Sequence, residues 1–508
     1  MFDSFSSQPL ATSVILGCIL VVMLGYRQLK SRKSNPERLP LPPGPKSEFI
    51  SFPTDNAWVT FTEWQKTIGD IIYLQAFGSG ILILNSYEAA RDLMDKRAIY
   101  SDRPPMPFLG ELAGMNRSLL LAGYNDTWRR QRRLAHPGFQ KVATEAYWPE
   151  QQNAAREYMC SLLSSPKDFY QDAKLMAGKV IISIIYGIQV DSIENEYIVN
   201  AERSRTLVKY LSPTTAYVNF FPILKYVPSW FPGAGFQREA EKVRELTYSM
   251  MDVPFQRVKS DIMFFWDAGV ARHSITSKIL ENPNANEEDT KWMAGTMYSA
   301  GADAIASTFA SFILAMTLYP DVQRKAQQEI TNVVGTGRLP TFQDRESLPY
   351  LECIIKETLR WYPVAPMGTP HRVTEDDYYN GYWIPAGSTV FGNAWAMSRD
   401  ETMYKDGDRF SPERFEGDGA EDVLDPRAFA YGFGRRSCVG NHFADASLFI
   451  NMAYMLATFN ISKARDEAGN EIEPKVKYVS GLISRLEDFE CSIQPRSVQA
   501  AEFIREDH

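Results

Sequence analysis

Apolar positions recur at three- and four-residue steps over much of the chain. The phase of that recurrence places long helices at about 151–185, 235–262, 286–318, 320–334 and 346–361. Strands are few and short, as at Ile71–Gln75 and Gly80–Leu84. In Tyr378–Pro385 the turn pair Asn380-Gly381 separates two aromatic-rich runs, the pattern of a hairpin. The segment 400–430 is rich in charge, Gly and Pro and reads as an ordered meander. A last periodic run, Phe443, Ala444, Ala446, Leu448, Phe449, Ile450, Met452 and Ala453, opens a helix directly behind Gly440. The pattern is mainly α with a small β region.

The N-terminus breaks this texture. Leu10–Leu24 is almost wholly apolar and is followed by Arg27, Lys30, Arg32 and Lys33. A spanning helix needs about 20 residues, with a lower range near 17, so the run is adequate with its flanks. No basic residue precedes it and no small-x-small site follows it, which disfavours a cleaved signal peptide. The basic flank then sets the chain beyond it in the cytosol. Leu39–Pro45 is proline-rich and stiff, a hinge that cannot continue a helix. The expected layout is an anchor over 1–26, a basic flank and hinge over 27–50, and one large domain over 51–508.

Composition excludes several classes. The net charge of −8 gives no case for nucleic acid. Five cysteines in 508 residues, widely spaced and odd in number, argue against a disulfide framework and for a reducing compartment. No C-x-x-C pair and no G-x-G-x-x-G after a strand is present, so nothing marks a resident flavin, nicotinamide or iron–sulfur cluster. Electrons for any redox chemistry are expected from a second protein.

Cys438 then stands out. It lies in Phe433-Gly434-Arg435-Arg436-Ser437-Cys438-Val439-Gly440, behind two arginines and ahead of a helix. Cations and helix N-termini favour the thiolate, the metal-binding form of cysteine. A single free cysteine is usually a buried core thiol, but the whole spacing points to an axial haem ligand. Here the chain resembles the cytochrome P-450 family of haem-thiolate monooxygenases, whose cysteine loop reads F-x-x-G-x-R-x-C-x-G. Gly434, Arg436, Cys438 and Gly440 match, and Tyr431 stands where the family usually has Phe. The resemblance implies that family's fold over nearly the whole chain, preceded by one transmembrane helix, with heme b as cofactor and Cys438 as its iron ligand.

Further segments carry the same resemblance. Trp128 and Arg132 match W-x-x-x-R, and His371 aligns with a position that meets a haem propionate; with Arg436 they are the expected cofactor contacts. Glu357, Arg360 and Arg414 fall on the E-x-x-R and P-E-R-F signatures, which implies a bracing network rather than a catalytic one. Arg129, Arg130, Arg133, Lys141 and Arg435 are expected to form a basic patch that docks an acidic NADPH-cytochrome P-450 reductase. An anchor of this kind implies the endoplasmic reticulum membrane, crossed once, with the catalytic domain cytosolic.

Ala300-Gly301-Ala302-Asp303-Ala304-Ile305 falls on the family's A-G-x-D/E-T-T, so Asp303 is the expected catalytic acid while the usual Thr is Ala304. Three readings follow. A substrate hydroxyl or ordered water supplies the missing donor; Ser307 or Thr308 supplies it from a distance; or the protein is a peroxide-using or rearranging haem enzyme, or a silent haem binder. Pro104–Arg117, Tyr217–Phe221, Ala302–Ala304, Val364–Gly368 and Gly481–Ile483 correspond to pocket-lining regions, mostly apolar, which implies a lipophilic small-molecule substrate. Pro222–Gly233 resembles basidiomycete members akin to O-methylsterigmatocystin oxidoreductase, which often serve secondary metabolism, terpenoids included.

Overall fold

The longest apolar stretch becomes the central helix. A computed structural model of the protein describes residues 35–45, 53, 55–76, 79–192, 194–204, 217–265, 273–479 and 481–505. The expected anchor and its basic flank lie outside these residues. Numbered here in chain order, the helices that position the site are α1 (Ala57–Ile68), α2 (Asp126–Phe139), α3 (Lys141–Glu145), α4 (Trp148–Ser164), α5 (Phe169–Tyr186), α6 (Gly235–Phe265), α7 (Glu287–Leu318), α8 (Pro320–Val334), α9 (Pro349–Trp361) and α10 (Asn441–Thr458). Among the described residues α7 alone is long and apolar enough to cross a membrane, yet most of it is buried inside the protein, as a core helix must be.

The periodicity placed most of these helices well, with one correction. The helix expected over 151–185 is two helices, α4 and α5, joined by Ser165 and the 3-10 turn Pro166–Asp168. Pro166 has no amide hydrogen and drives the residue before it out of the α region, so Ser165 sits at φ −138°, ψ 66°. The same chemistry starts α9 at Pro349 rather than at 346.

One large apolar core joins α4, α5, α7, α9 and α10. Gly301 lets α5 approach α7 closely, since a Cβ there would lie 3.0 Å from Cγ1 of Ile181. Burial along α7 is interrupted in its middle. Trp292–Tyr298 and Ile305–Thr317 are buried, whereas Ser299 and Ala300 are exposed and Gly301–Ala304 half-exposed. The middle of this core helix, Ser299–Ala304, is thus left uncovered by protein between two buried stretches.

A four-stranded sheet flanks the core. β1 (Ile71–Ala76) pairs antiparallel with β2 (Ser79–Leu84), in register Ile71 to Leu84. β3 (His371–Arg372) pairs antiparallel with β6 (Thr389–Gly392), and β6 runs parallel to β2, giving the order β1-β2-β6-β3. The expected hairpin is β4 (Asp377–Tyr379) with β5 (Tyr382–Ile384). Its turn residues Asn380 (φ 49°) and Gly381 (φ 78°) are both left-handed, as a tight hairpin turn requires. The segment 400–430 is irregular, with short 3-10 turns and one helical turn at Arg427–Ala430.

Candidate functional site

Cys438 is carried on a turn that glycine makes possible. Gly434 has φ 52°, and a Cβ there would meet the Met94 carbonyl oxygen at 2.7 Å and Asp95 Cα at 2.9 Å, both backbone. The Cys438 amide donates to the Tyr431 carbonyl (2.8 Å), and α10 begins three residues on. Of the described cysteines Cys438 alone is exposed; Cys353 is buried and Cys160 and Cys491 half-buried. Although accessible, the sulfur is crowded by protein as in a recess, and that burial raises the thiol's pKa, opposed by the Gly440 amide and the Arg132 guanidinium. The cationic neighbours therefore do not by themselves make the thiolate that the sequence led us to expect. A cation bound at the sulfur would.

Three guanidiniums and an imidazole gather beside this loop. Arg436 donates from Nε to the Ser101 carbonyl and from Nη2 to the Ala122 carbonyl, each at 2.7 Å. Its Nη1 is buried with no hydrogen-bond partner among the described residues. The Arg436 guanidinium lies 4.3 Å from the centroid of the buried Trp128 ring, and burial lowers its pKa to about 10. Trp128 and Arg132 sit one turn apart on α2, and Arg132 donates from Nη1 to the Ser437 carbonyl at 2.6 Å. His371, buried on β3, donates from Nδ1 to the Tyr100 carbonyl at 2.8 Å. Burial, then Arg103 and Arg436, push its pKa well down, so it is a neutral imidazole. With Nδ1–H committed, Nε2 can donate to an anion only once that anion offsets the two guanidiniums.

Sequence reasoning missed Arg103. Buried beside Asp102 and Arg436, it donates from Nε to the Leu120 carbonyl (3.0 Å) and from Nη1 to the Thr369 (3.0 Å) and Pro370 (2.7 Å) carbonyls, tying two loops to His371's strand. Its only signal was a charged residue directly before Pro104-Pro105. Asp102 beside it accepts from the Tyr124 amide (2.8 Å) and from Arg372 Nε (2.8 Å).

An exposed thiol crowded by protein, an unsatisfied buried guanidinium nitrogen and a core helix uncovered at its centre are the features of a site for a large anionic metal cofactor. The Cytochrome P-450 family profile matches residues 42–485. The chain belongs to the cytochrome P-450 family. It is 40% identical to cytochrome P-450 monooxygenase 176 of Postia placenta over 97% of this chain and 96% of that one. It is 39% identical to cytochrome P-450 monooxygenase claR of Ampulloclitocybe clavipes over 97% and 92% of the two. A zebra fish cytochrome P-450 solved with abiraterone shares the fold at TM-score 0.71 and 19% identity, covering 88% of this chain and all of that one. The protein is thus a monooxygenase of this family, with a haem-thiolate iron as its cofactor.

The residues present fit that cofactor. Cys438 offers a sulfur, the free Arg436 Nη1 offers a donor to a carboxylate, and the uncovered stretch Ser299–Ala304 of α7 has mostly small side chains. Asp303 is half-exposed in that stretch. The other hydroxyls near it are engaged: Ser299 donates to the Thr296 carbonyl (3.0 Å), Thr308 to the Ala304 carbonyl (2.9 Å), and buried Ser307 lies 3.4 Å from the Tyr170 hydroxyl of α5. Three of the five segments expected to line the pocket, Pro104–Arg117, Tyr217–Phe221 and Gly481–Ile483, meet in one cluster. Met106, Phe108, Leu109, Val218, Ala240 and Val243 form one apolar cluster with Leu482 against it, and the Ser484 amide donates to the Val364 carbonyl at 2.7 Å.

The bracing network is present. Fully buried Arg360 donates to both oxygens of fully buried Glu357 (2.7 and 2.8 Å), and Arg414 and the Ser411 amide complete that carboxylate's shell at 3.0 and 2.7 Å. Arg360 Nη1 reaches the carbonyls of Ser398 and Gly407, locking the meander to α9. The expected basic patch is thinner than its sequence. Arg129 pairs with Asp126 at 2.8 Å and Arg130 with buried Asp289 at 2.6 Å, whereas Arg133, Lys141 and Arg435 are exposed.

Proposed function

We propose that this monooxygenase hydroxylates or otherwise oxidises a lipophilic small molecule, a terpenoid or similar fungal secondary metabolite, with electrons passed from NADPH by a separate reductase. The observation that carries the reading is the pairing of one recess-facing thiol, Cys438, with the unsatisfied buried Nη1 of Arg436. Cys438 would supply the sulfur ligand to the iron, and Trp128, Arg132, His371 and Arg436 would hold the propionates. When bound, the haem supplies activation of O2, its thiolate favouring cleavage of the O–O bond.

The chain's own residues do the rest. The cluster around Phe108 and Val218 binds and desolvates the substrate. Arg436 and Arg132 would fix the cofactor's anionic edge, and Asp303 would be the acid on the uncovered stretch of α7 that passes protons. Arg133, Lys141 and Arg435 leave a small cationic face for an acidic reductase. Residues 1–26 anchor the protein once in the endoplasmic reticulum membrane, 27–50 hold it off the bilayer and 51–508 form the cytosolic catalytic domain; the apolar run and its basic flank support this.

Expression with a fungal reductase, NADPH and a panel of terpenes and aromatics, followed by product analysis, tests the reading. Oxidised product that needs both NADPH and reductase supports it. The absence of a hydroxyl at Ala304 favours a second reading, a peroxide-using or rearranging enzyme. Turnover with hydrogen peroxide alone and none with reductase would establish that alternative.

A further inference from the structure

A line of oxidisable rings runs through the end of α9. Trp361, its last residue, is buried, and its ring centroid lies 4.4 Å from that of Tyr362. Tyr362 is stacked on Tyr478 at 4.3 Å and lies 5.4 Å from Trp395. Tyr319, the residue after α7, lies 6.0 Å from Trp361. Each spacing is direct ring contact, the geometry of ordinary aromatic packing. Where the line begins and ends goes beyond packing. Tyr362 precedes Val364–Gly368 and Tyr478 precedes Gly481–Ile483, segments the sequence assigns to the pocket. The Ser484 amide ties the two together through the Val364 carbonyl, and the Trp395 amide donates to the Pro366 carbonyl at 3.2 Å. Tyr319 and Trp395, at the other ends, are half-exposed.

Charge gives the line a direction. The Arg399 guanidinium lies 3.2 Å from the Trp395 centroid, so a positive hole on that indole would meet a cation at contact. The same guanidinium is 5.4 Å from the Tyr362 centroid. A tyrosine that loses its phenolic proton with its electron becomes neutral, and that repulsion does not arise. Trp361 faces the opposite dipole, since its Nε1–H donates to the Asp408 carbonyl at 2.8 Å. A cation on this indole is favoured, and the next ring toward solvent is Tyr319.

We propose that Tyr362, Trp361 and Tyr319 form an electron-supply path that discharges oxidising equivalents stranded at the pocket, with a small thiol as the reductant at the surface. Such equivalents arise whenever O2 or peroxide is activated with no substrate hydrogen to take. Tyr362 gives up an electron and its phenolic proton, Trp361 returns the electron to Tyr362, Tyr319 refills Trp361, and the thiol restores Tyr319. Both tyrosines are half-exposed and exchange their phenolic protons with water. With peroxide as oxidant, its O–O bond breaks and two waters form while two thiols become a disulfide. Two electrons pass inward along the rings, and the thiols supply the two protons. The path holds for a reductase-fed and for a peroxide-using enzyme alike.

The test mixes substrate-free ferric holoenzyme with hydrogen peroxide. Freeze-quench electron paramagnetic resonance reads the protein radical, and the Soret band reads haem lifetime with and without glutathione. Wild type should give a tyrosyl signal that narrows after growth on ring-deuterated tyrosine, and glutathione should lengthen the Soret lifetime. Tyr362→Phe removes only a hydroxyl, and Trp361→Phe keeps an apolar ring. Each should lose the glutathione protection and most of the signal, whereas Trp361→Tyr, still oxidisable, should keep both. Trp148→Phe, whose ring is stacked on Phe342 outside the line, should match wild type. Wild type without a tyrosyl signal, or protection that survives Tyr362→Phe, overturns the path. So does failure of Trp361→Tyr as complete as that of Trp361→Phe, which would assign the rings to packing. No readout uses substrate, NADPH or reductase, so the function proposed above stands or falls separately.

Discussion

Replacing Glu357 by Gln keeps the shape of the bracing network and removes its only anion. The carboxylate is fully buried and accepts four hydrogen bonds: two from Arg360, one from Arg414 and one from the Ser411 amide. A Gln amide accepts through one oxygen and points its NH2 donors at guanidinium donors. Arg360, itself fully buried, is then left as an uncompensated cation. Removing one partner of a buried pair costs about 3–5 kcal/mol, out of a folding free energy of about 5–15 kcal/mol. A contrasting site calibrates the result. Arg345 is part-exposed, and its partners Glu352 and Asp445 are also held by Arg427. Arg345→Gln is therefore expected to cost about 1 kcal/mol. Urea titration of both variants, followed by tryptophan fluorescence, reads the difference. Glu357→Gln within about 1 kcal/mol of wild type, or no worse than Arg345→Gln, would refute the reasoning that this network bears the fold.

Three other outcomes are expected. Arg436→Gln should speed haem loss to apomyoglobin by about tenfold, because a charge-assisted donor to the cofactor is gone; exposed Arg435→Gln should leave it unchanged. The triple variant Arg133→Glu, Lys141→Glu and Arg435→Glu should slow reduction by the reductase and flatten its salt dependence, measured by stopped flow. Asp344, whose pKa Arg338 pulls down to about 2, is stabilising above the ordinary carboxylate pKa of about 3.9, and that contribution fades as pH falls toward 2. Since Arg338 is half-exposed, Asp344→Asn should cost only about 1 kcal/mol at pH 7, and the gap to wild type should narrow between about pH 5 and pH 3 in urea titrations.

What the sequence made legible follows from where the physics is local. Helix periods, the Asn380-Gly381 turn and the start of α10 depend on neighbouring residues, and they were readable. So was the Glu357–Arg360 pair, spaced three apart on one helix. The break at Ser165-Pro166 was also local, and the apolar period running through it hid the proline. Arg103 was illegible because its role is made by carbonyls from Leu120, Thr369 and Pro370, far away in the chain. The pairing of Arg130 with Asp289 is likewise long-range, so a cation counted for the surface is spent on a buried acid. The donors around Ala304 needed coordinates too, since only rotamers show that Ser299 and Thr308 face their own helix.

The central claim is that Cys438 holds the haem iron through its sulfur. The carbon monoxide difference spectrum of the reduced protein tests it most directly, on wild type, Cys438→Ser and Cys438→His. Wild type is expected to show the red-shifted thiolate band, both variants to lack it, and Cys438→His to retain haem with an imidazole-type spectrum. A thiolate band that survives in either variant would place the ligand at another residue and contradict the account.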